Sequence, residues 1–343
     1  MNIVIAHNPV GEHAPEDERD VLVQAQEVSE ALRSLGYQPF CVPFELSGDT
    51  FAKRIQEIDP ACIFNLVESV DGDARLIHIA PSYFDHLGIP YTGASAQAMF
   101  LTTNKVLSKQ FMTLNYIATP AWFVPGHAPA VTLDFPGTYI IKALWEEASV
   151  GIESESVISA VDLEDLDRLV QQRSEKLGLT CFAEQYIEGR EFNISLLAGN
   201  DSPIVLPAAE IRFSLPEGSR NIVDYRAKWE HDSIEYQGTQ RSFDFPPHDS
   251  ILIEILSSIA LRCWESFGLK GYNRVDFRVD ANGKPFVLEI NANPCISPDS
   301  GFVAAARRFG LTYPMIIERI IHEVIPGRIP GNNRQSESKN LLC

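Results

Sequence analysis

Two apolar, strand-like segments near the carboxyl end of the chain carry acidic and amide side chains at fixed positions. The segments are YNRVDFRVD and PFVLEINANP, and they flank Ala281-Asn282-Gly283-Lys284. Asn-Gly favours a tight hairpin turn with positive φ, so the sequence predicts that these segments pair as adjacent strands. Charged side chains within core-like strands need partners. The chain should therefore adopt a fold in which the charged side chains of this hairpin find polar or charged partners.

The polar residues of this hairpin are suited to binding a divalent cation. Asp276 lies on the first strand, whereas Glu289 and Asn291 lie on the second. Because side chains two apart on a strand share a face, Glu289 and Asn291 point the same way. Carboxylate and amide oxygens are hard ligands of the kind that Mg²⁺ takes together with substrate phosphates. The sequence predicts a metal site at these three residues, and the alternative is a set of solvated acidic residues.

Two lysines and a loop are candidates for binding phosphate. Lys142 interrupts the apolar strand YIIKAL, and Lys105 lies on a helix predicted to run unbroken from Ser95 through SAQAMFLTTNKVLSKQFMTL. Each lysine taken alone is more often a snorkelling side chain than a ligand. The backbone N–H groups of the loop Glu146–Gly151, which includes Ser149, could cover a triphosphate. The spacing G-x-x-x-x-G-K-S/T is absent, which excludes a P-loop.

The first ninety residues alternate strand and helix patterns. Strands are predicted for MNIVIAHN, YQPFCVPF and CIFNLVES, and helices for Glu18–Leu35, Phe51–Ile58 and Leu76–Leu87. This alternation predicts βαβ units with a parallel sheet. Ligands of such sheets gather at the carboxyl ends of the strands, which is where His7–Gly11 and Glu68–Asp73 would lie.

The remainder of the chain is richer in long strands. We expect strands over TYIIKALW and IVLPAAEIRF, two strands in CFAEQYIEGREFNISLLAG joined at Glu188-Gly189-Arg190, and helices over Leu163–Leu177, Asp249–Phe267 and Tyr313–Val324. The polar tail beyond Pro326 is predicted to be disordered.

Composition limits the class of protein. The chain has 343 residues, of which 45% are apolar and 22% charged, which is typical of a globular protein with two or three domains. A formal net charge of −18 disfavours non-specific binding to nucleic acid. The sequence has no apolar run long enough to span a membrane and no signal-peptide pattern, so we expect a cytoplasmic location. Its scattered cysteines form no C-x-x-C pair, which predicts reduced thiols.

Five stretches, in this order and spacing, resemble the ATP-grasp superfamily and, within it, the D-alanine–D-alanine ligases. They are IPYTGASAQAMFLTTNK (89–105), IIKAL with EEASVGIE (140–153), AEQYIEGREFNISLL (183–197), DYRAKW (224–229), and NRVDFRVD with LEINANPCISPDS (273–300). The resemblance implies an α/β fold, with a parallel-sheet domain at 1–94 followed by two α+β subdomains, 95–187 and 188–326, that clamp ATP. The tail would be 327–343.

The resemblance also implies a role for each matching residue. ATP would be bound by Lys105, Lys142, Ser149, Glu184, Ile187 and Glu191, the last three at the adenine and ribose. Two Mg²⁺ ions, or Mn²⁺ in their place, would be held by Asp276, Glu289 and Asn291. Arg274 and the backbone N–H of Cys295 would bind the reacting carboxylate, and Lys228 and Ser300 the carboxylate of the second substrate. The implied chemistry is phosphorylation of a carboxylate by ATP, then attack of an amine on the acyl phosphate.

The sequence departs from the family pattern around the first substrate. Asp20 stands where the family has a glutamate for the substrate ammonium group, and Ala148 and Trp229 replace the serine and tyrosine that hydrogen-bond to it. Cys295 replaces a glycine; we interpret its side chain as packing and not as a nucleophile, because no His or Asn partner marks it. The stretch NLVESVDGDARLIH does not align with the family's motif.

These departures favour a ligase that joins an amino acid to a carboxylate donor other than D-alanine. Its partners would be small molecules, with a homodimer left open. A genuine D-alanine–D-alanine ligase, a ligase acting on a peptide or protein terminus, and a non-catalytic nucleotide sensor are the alternatives. The retained metal ligands, lysines and arginine disfavour the sensor, and Lys228 favours a small acceptor with a carboxylate.

Overall fold

The amino-terminal segment forms a three-stranded parallel sheet. In the computed structural model, which describes residues 1–11, 14–46, 49–146, 149 and 151–326, its elements are β1 (Asn2–His7), α1 (Glu16–Ser34), β2 (Gln38–Pro43), α2 (Thr50–Ile58), β3 (Cys62–Leu66) and α3 (Ile79–Leu87). The strand order is β2-β1-β3. The parallel sheet predicted from the sequence is confirmed. The helix predicted over Leu76–Leu87 begins later, because the Asp73 side chain accepts from the Arg75 N–H and caps a separate turn at Ala74–Leu76.

The middle of the chain forms a four-stranded antiparallel sheet. Its elements are α4 (Ala96–Thr103), α5 (Lys105–Leu114), β4 (Trp122–Phe123), β5 (Gly137–Ala143), β6 (Val157–Ala160), α6 (Leu163–Leu177) and β7 (Cys181–Gln185). The strand order is β4-β7-β5-β6. Leu166 and Val170 of α6 pack against Ile141 and Ala183 of the sheet.

The prediction of one unbroken helix from Ser95 is wrong. The chain leaves helical geometry at Asn104, whose backbone is extended and whose side chain accepts from the Leu107 N–H at 2.9 Å. Asparagine is a preferred helix N-cap, so the polar residue ends α4 and starts α5. The break makes Lys105 the first residue of α5, and its Nζ donates to the Glu146 carbonyl.

The third sheet has six antiparallel strands. Its elements are β8 (Arg190–Leu197), β9 (Ile204–Val205), β10 (Ala209–Phe213), α7 (Tyr225–Trp229), α8 (Ile234–Gln237), β11 (Thr239–Ser242), α9 (Ser250–Phe267), β12 (Tyr272–Val279), β13 (Pro285–Asn291), α10 (Gly301–Arg308) and α11 (Tyr313–Val324). The order is β11-β10-β8-β12-β13, with β9 also on β8. IVLPAAEIRF, predicted as one strand, is divided between β9 and β10.

Gly189 links the second sheet to the third at a point where no side chain fits. Its φ is 149°, and a Cβ built on it would lie 2.0 Å from the Val279 carbonyl oxygen. Only glycine adopts such a backbone without strain. The turn between β7 and β8 therefore presses against the end of β12, which fixes the two sheets close to each other.

The last two helices return to the first sheet. Ile3 and Ile5 of β1 share a core with Phe302 of α10 and Ile317 of α11. The alternate residues of β1 face the opposite core, formed with α2 and α3, as the period of two in a strand requires. Residues at the carboxyl ends of β1 and β3 line the same cavity as residues of the third sheet. None of the helices in the described ranges is both long and apolar enough to cross a membrane.

Candidate active site

A cavity of about 830 Å³ is lined by residues of all three sheets. It brings together nearly every residue singled out from the sequence: Asp20, Lys105, Lys142, Ser149, Glu184, Ile187, Glu191, Lys228, Trp229, Arg274, Asp276, Glu289, Asn291, Cys295 and Ser300. Ala148 lies outside the described residues. Asn8 and Glu68, at the carboxyl ends of β1 and β3, also line the cavity, as expected for a parallel sheet.

The hairpin register places the candidate metal ligands opposite each other. Asp276 of β12 pairs with Glu289 of β13, and Arg274 pairs with Asn291. A register shift between Asp276 and Phe277 marks a bulge directly beyond the pair, a feature that often re-aims side chains next to functional sites. The Asp276 carboxylate accepts from Arg274 Nε at 2.7 Å and Arg274 Nη2 at 2.8 Å. Asn193 of β8 and Asn291 donate to it as well.

Four positively charged side chains act on the Glu289 carboxylate. Burial by itself raises the pKa of Glu289, but Lys105, Lys228, Lys142 and Arg274 outweigh burial and lower the pKa to about 2. In the described chain, none of these cations forms an ion pair with Glu289 within 4.0 Å. The carboxylate is therefore held ionised without being covered by a cation.

These residues fit a magnesium site that is completed by phosphate. Glu289 offers ionised oxygens, and Asp276 and Asn291 flank it on the same strand pair. No group of three or more His, Cys, Asp or Glu side chains arranged to hold a metal occurs in the part of the chain that the structure describes. Mg²⁺ keeps few protein carboxylates and takes its other ligands from water and phosphates.

A buried triad contains Lys142 and Glu184, which were singled out from the sequence, together with Lys109, which was not. Glu184 of β7 forms ion pairs with Lys142 at 2.6 Å and with Lys109 at 2.7 Å. Lys109 also donates to Thr119 at 2.8 Å and is only 1% exposed. Burial lowers the pKa of Lys109, whereas the charges of Glu184 and Glu289 outweigh burial at Lys142 and raise its pKa. The signal was available, since Lys109 follows Lys105 by one helical turn in an apolar stretch.

Glu191 and Arg278 form a second buried pair beside the hairpin. Their ion pair is 2.8 Å long, and Arg278 also donates to the Asn221 carbonyl. Burial, with a smaller contribution from Asp276, raises the pKa of Glu191 despite the opposing charge of Arg278. Arg278, two residues beyond Asp276 on β12, was not singled out from the sequence. It fixes the carboxylate that the resemblance assigns to the ribose.

The candidate first-substrate pocket is closed by a hydrogen-bonded cluster around Asp20. Its carboxylate accepts from Ser297 Oγ at 2.6 Å, Cys295 Sγ at 3.0 Å and Gln24 Nε2 at 3.1 Å. Gln24 donates to Glu68 as well, at 3.0 Å. The cluster joins α1, the end of β3 and the segment after β13. Glu68 lies at the strand end where the sequence predicts ligands to gather, whereas Ser297 and Gln24 were not singled out from the sequence.

The Cys295 thiol is expected to be a poor nucleophile. Burial, together with the negative charge of Asp20, raises its pKa well above the ordinary value, and reactivity requires the thiolate. At pH 8 iodoacetamide should modify Cys295 about tenfold more slowly in the folded protein than in the urea-unfolded chain. Peptide mass spectrometry after timed quenching measures both rates. Equal rates, or faster labelling of the folded protein, would restore a nucleophilic role.

The residues of the candidate second-substrate pocket, Lys228 and Ser300, line the same cavity. Lys228 projects from the short helix α7, which Asp224 caps by accepting from the Ala227 N–H at 2.8 Å. Ser300 caps α10, where its Oγ accepts from the Val303 N–H at 3.3 Å and keeps its own proton to donate. Ser149 Oγ donates to the Val223 carbonyl at 2.8 Å. The loop carrying Ser149 is thereby tied to the segment that leads into α7.

An antiparallel sheet pair enclosing a lysine-rich and acidic cavity beside a parallel-sheet domain is the architecture of an ATP-grasp enzyme. The sequence profile of the D-ala D-ala ligase C-terminus matches residues 129–322. An uncharacterised protein, y4sG, from Sinorhizobium fredii is 30% identical over 90% of this chain and 89% of its own length. The D-alanine–D-alanine ligase of Gloeobacter violaceus is 29% identical over 91% of this chain and 96% of its own.

A solved structure agrees in fold. The D-alanine–D-alanine ligase from Bacillus anthracis superposes with a TM-score of 0.70 at 20% identity, covering 95% of this chain and 97% of that one. The chain belongs to the D-alanine–D-alanine ligase family. It is an ATP-dependent ligase of the carboxylate–amine type.

Proposed function

We propose that this ligase joins an α-amino acid acceptor to a carboxylate donor other than D-alanine. The observation that carries the proposal is the hydrogen bonding of Asp20, which by resemblance stands in place of the family's ammonium-binding glutamate. Its carboxylate already accepts three hydrogen bonds, from Ser297, Cys295 and Gln24. These bonds use three of the roughly four acceptor sites of a carboxylate, so a donor ammonium group placed there would find one site in place of several. The pocket therefore favours a donor without an ammonium group at this point.

The proposed reaction has two steps. A donor carboxylate oxygen attacks the γ-phosphorus of ATP, and ADP leaves. The acceptor amine then attacks the acyl carbon, loses a proton and expels inorganic phosphate. Asp276, Glu289 and Asn291 would hold Mg²⁺, and the resemblance implies two ions. The bound metal would neutralise charge on the transferred phosphoryl group.

Protein side chains would provide the other charged and polar contacts to ATP and the two substrates. Lys105 and Lys142 would bind the phosphates, and the adenosine would lie between Ile187, Glu184 and Glu191. Two of the five Arg274 N–H donors contact Asp276. The others are available to a reacting carboxylate and to the oxyanion formed from it. Lys228 and Ser300 would orient the acceptor through its carboxylate.

A substrate profile tests the donor. The purified protein is given Mg·ATP with amino acids and simple carboxylic acids, singly and in pairs, and ADP release is measured. We expect release with particular pairs and at most about a hundredth of that rate with D-alanine alone, a difference of about 2.7 kcal/mol. The curated relatives named as D-alanine–D-alanine ligases favour the second candidate, a ligase that uses D-alanine. Rapid turnover of D-alanine alone would establish that candidate and contradict the proposed donor.

A further inference from the structure

Arg241 is a cation of the cavity wall that neither the family resemblance nor the reaction above uses. It lies on β11, the edge strand of the third sheet, where it pairs with Ile211 of β10. Its side chain is exposed and lines the same cavity as Lys228, Arg274 and Ser300. Although the net charge of the chain is −18, this wall carries one more positive group near the residues assigned to the acceptor.

The guanidinium of Arg241 lies against the start of α10. A Cβ built on Gly301 would be 3.3 Å from Nη2 and 3.6 Å from Cζ and Nε. Gly301 directly follows Ser300, which caps the helix. Arg241 is therefore next to the residue expected to hold the acceptor's carboxylate, and the bare glycine lets the planar group approach the backbone.

Arg241 and Lys228 differ from Arg274 in their ion pairing. Arg274 is neutralised by Asp276 at 2.7 Å. In contrast, neither Arg241 nor Lys228 forms an ion pair within 4.0 Å with any residue that the structure describes. Asp299 lines the same wall and raises the pKa of Arg241, while partial desolvation by the cavity walls and the charge of Arg274 lower that pKa more strongly. The positive charge of Arg241 is thus only partly offset by its surroundings.

We propose that Arg241 and Lys228 together bind an acceptor amino acid that carries a second anionic group, a side-chain carboxylate or a phosphate. The inference rests on the proposed function, because it takes Lys228 as the group that binds the acceptor's α-carboxylate. The acceptor's α-carboxylate would bind Lys228. Arg241 would then be left to bind an anionic group on the acceptor's side chain. The planar fork of an arginine matches carboxylate and phosphate alike, which makes both sources of the anion suitable.

Equilibrium binding tests the preference for an acceptor with a second anionic group and does not require turnover. The full chain, saturated with Mg²⁺ and a non-hydrolysable ATP analogue, is titrated calorimetrically with alanine, aspartate and O-phosphoserine of both configurations. We expect aspartate or O-phosphoserine to bind about tenfold more tightly than alanine, the gain of one charge-assisted hydrogen-bonded pair. The tighter of the two identifies the anion. Equal affinities, or no binding of any acceptor, would overturn the inference.

Variants of Arg241 show whether this residue causes the preference. Arg241→Gln is expected to reduce the tenfold difference to less than about twofold while alanine binding stays within about threefold, and Arg241→Lys to retain part of it. Arg212→Gln is the matched control, because Arg212 is exposed on the neighbouring strand β10 and does not line the cavity. A preference that survives Arg241→Gln would contradict the assignment. If acidic acceptors bind but form no amide with any donor, the proposed function fails and the binding inference stands.

Discussion

Replacing Glu289 with glutamine is expected to lower ATP turnover by about a thousandfold, which corresponds to about 4 kcal/mol of transition-state stabilisation. Glu289 is the carboxylate that four cations hold ionised, with a pKa lowered to about 2. The amide keeps the shape but removes the negative charge. A cation ligand is lost, and Lys105, Lys142, Lys228 and Arg274 are left to repel one another. Asp276→Asn should have a comparable effect.

The matched control for Glu289→Gln is Glu254→Gln. Glu254 is exposed on α9 and does not line the cavity, so the same chemical change should leave turnover within about twofold. Steady-state ADP release at several Mg²⁺ concentrations measures both variants, and thermal melting verifies that each is folded. Turnover by folded Glu289→Gln at more than about a tenth of the unmodified rate would refute the metal assignment.

Replacing Lys109 with methionine is expected to destabilise the fold by about 3–5 kcal/mol, the usual cost of removing one partner from a buried ion pair. Lys109 and Glu184 are both 1% exposed, and their ion pair is 2.7 Å long. Methionine fills a similar volume, so the loss is mainly electrostatic: Glu184 would keep Lys142 as its one lysine partner. Lys142 would then be drawn further from the nucleotide, and ATP binding should weaken as well.

The control for this variant is Lys176→Met. Lys176 pairs with Glu155 at 3.1 Å, but the two side chains are 60% and 74% exposed, and such pairs contribute about 0–1 kcal/mol. Urea unfolding monitored by circular dichroism gives the free energy of unfolding of each variant. A loss at Lys109→Met no larger than that at Lys176→Met would show that the buried triad does not stabilise the protein.

The sequence predicted those parts of the site that depend on local pattern. Asp276 and Glu289 are opposite each other because an Asn-Gly turn joins two apolar segments, with Gly283 at a φ of 78°. The turn itself is wider than expected, since Asp280 accepts from the N–H groups of Asn282 and Lys284. The parallel sheet of the first ninety residues was likewise predicted, because short apolar strands alternate there with helices.

The sequence could not predict contacts between residues far apart in the chain. Asp20 and Cys295 are 275 positions apart, yet they share a hydrogen bond. Their meeting depends on α11 packing against the first sheet, which no local pattern specifies. The same holds for Arg241, whose significance comes from lying against Gly301, and for the break at Asn104, where a cap outweighs a continuous helical pattern. Tertiary packing decides each of these features.

The transfer of carboxylate oxygen to phosphate tests the central claim most directly. The protein is incubated with Mg·ATP and the substrates of the profile, each labelled with ¹⁸O in its carboxyl group, and the released phosphate is analysed by mass spectrometry. Formation of an acyl phosphate predicts one donor ¹⁸O in each phosphate released with ADP. Amide formation accompanied by unlabelled phosphate, or by labelled AMP, would contradict the account, because the donor would then be activated by another route.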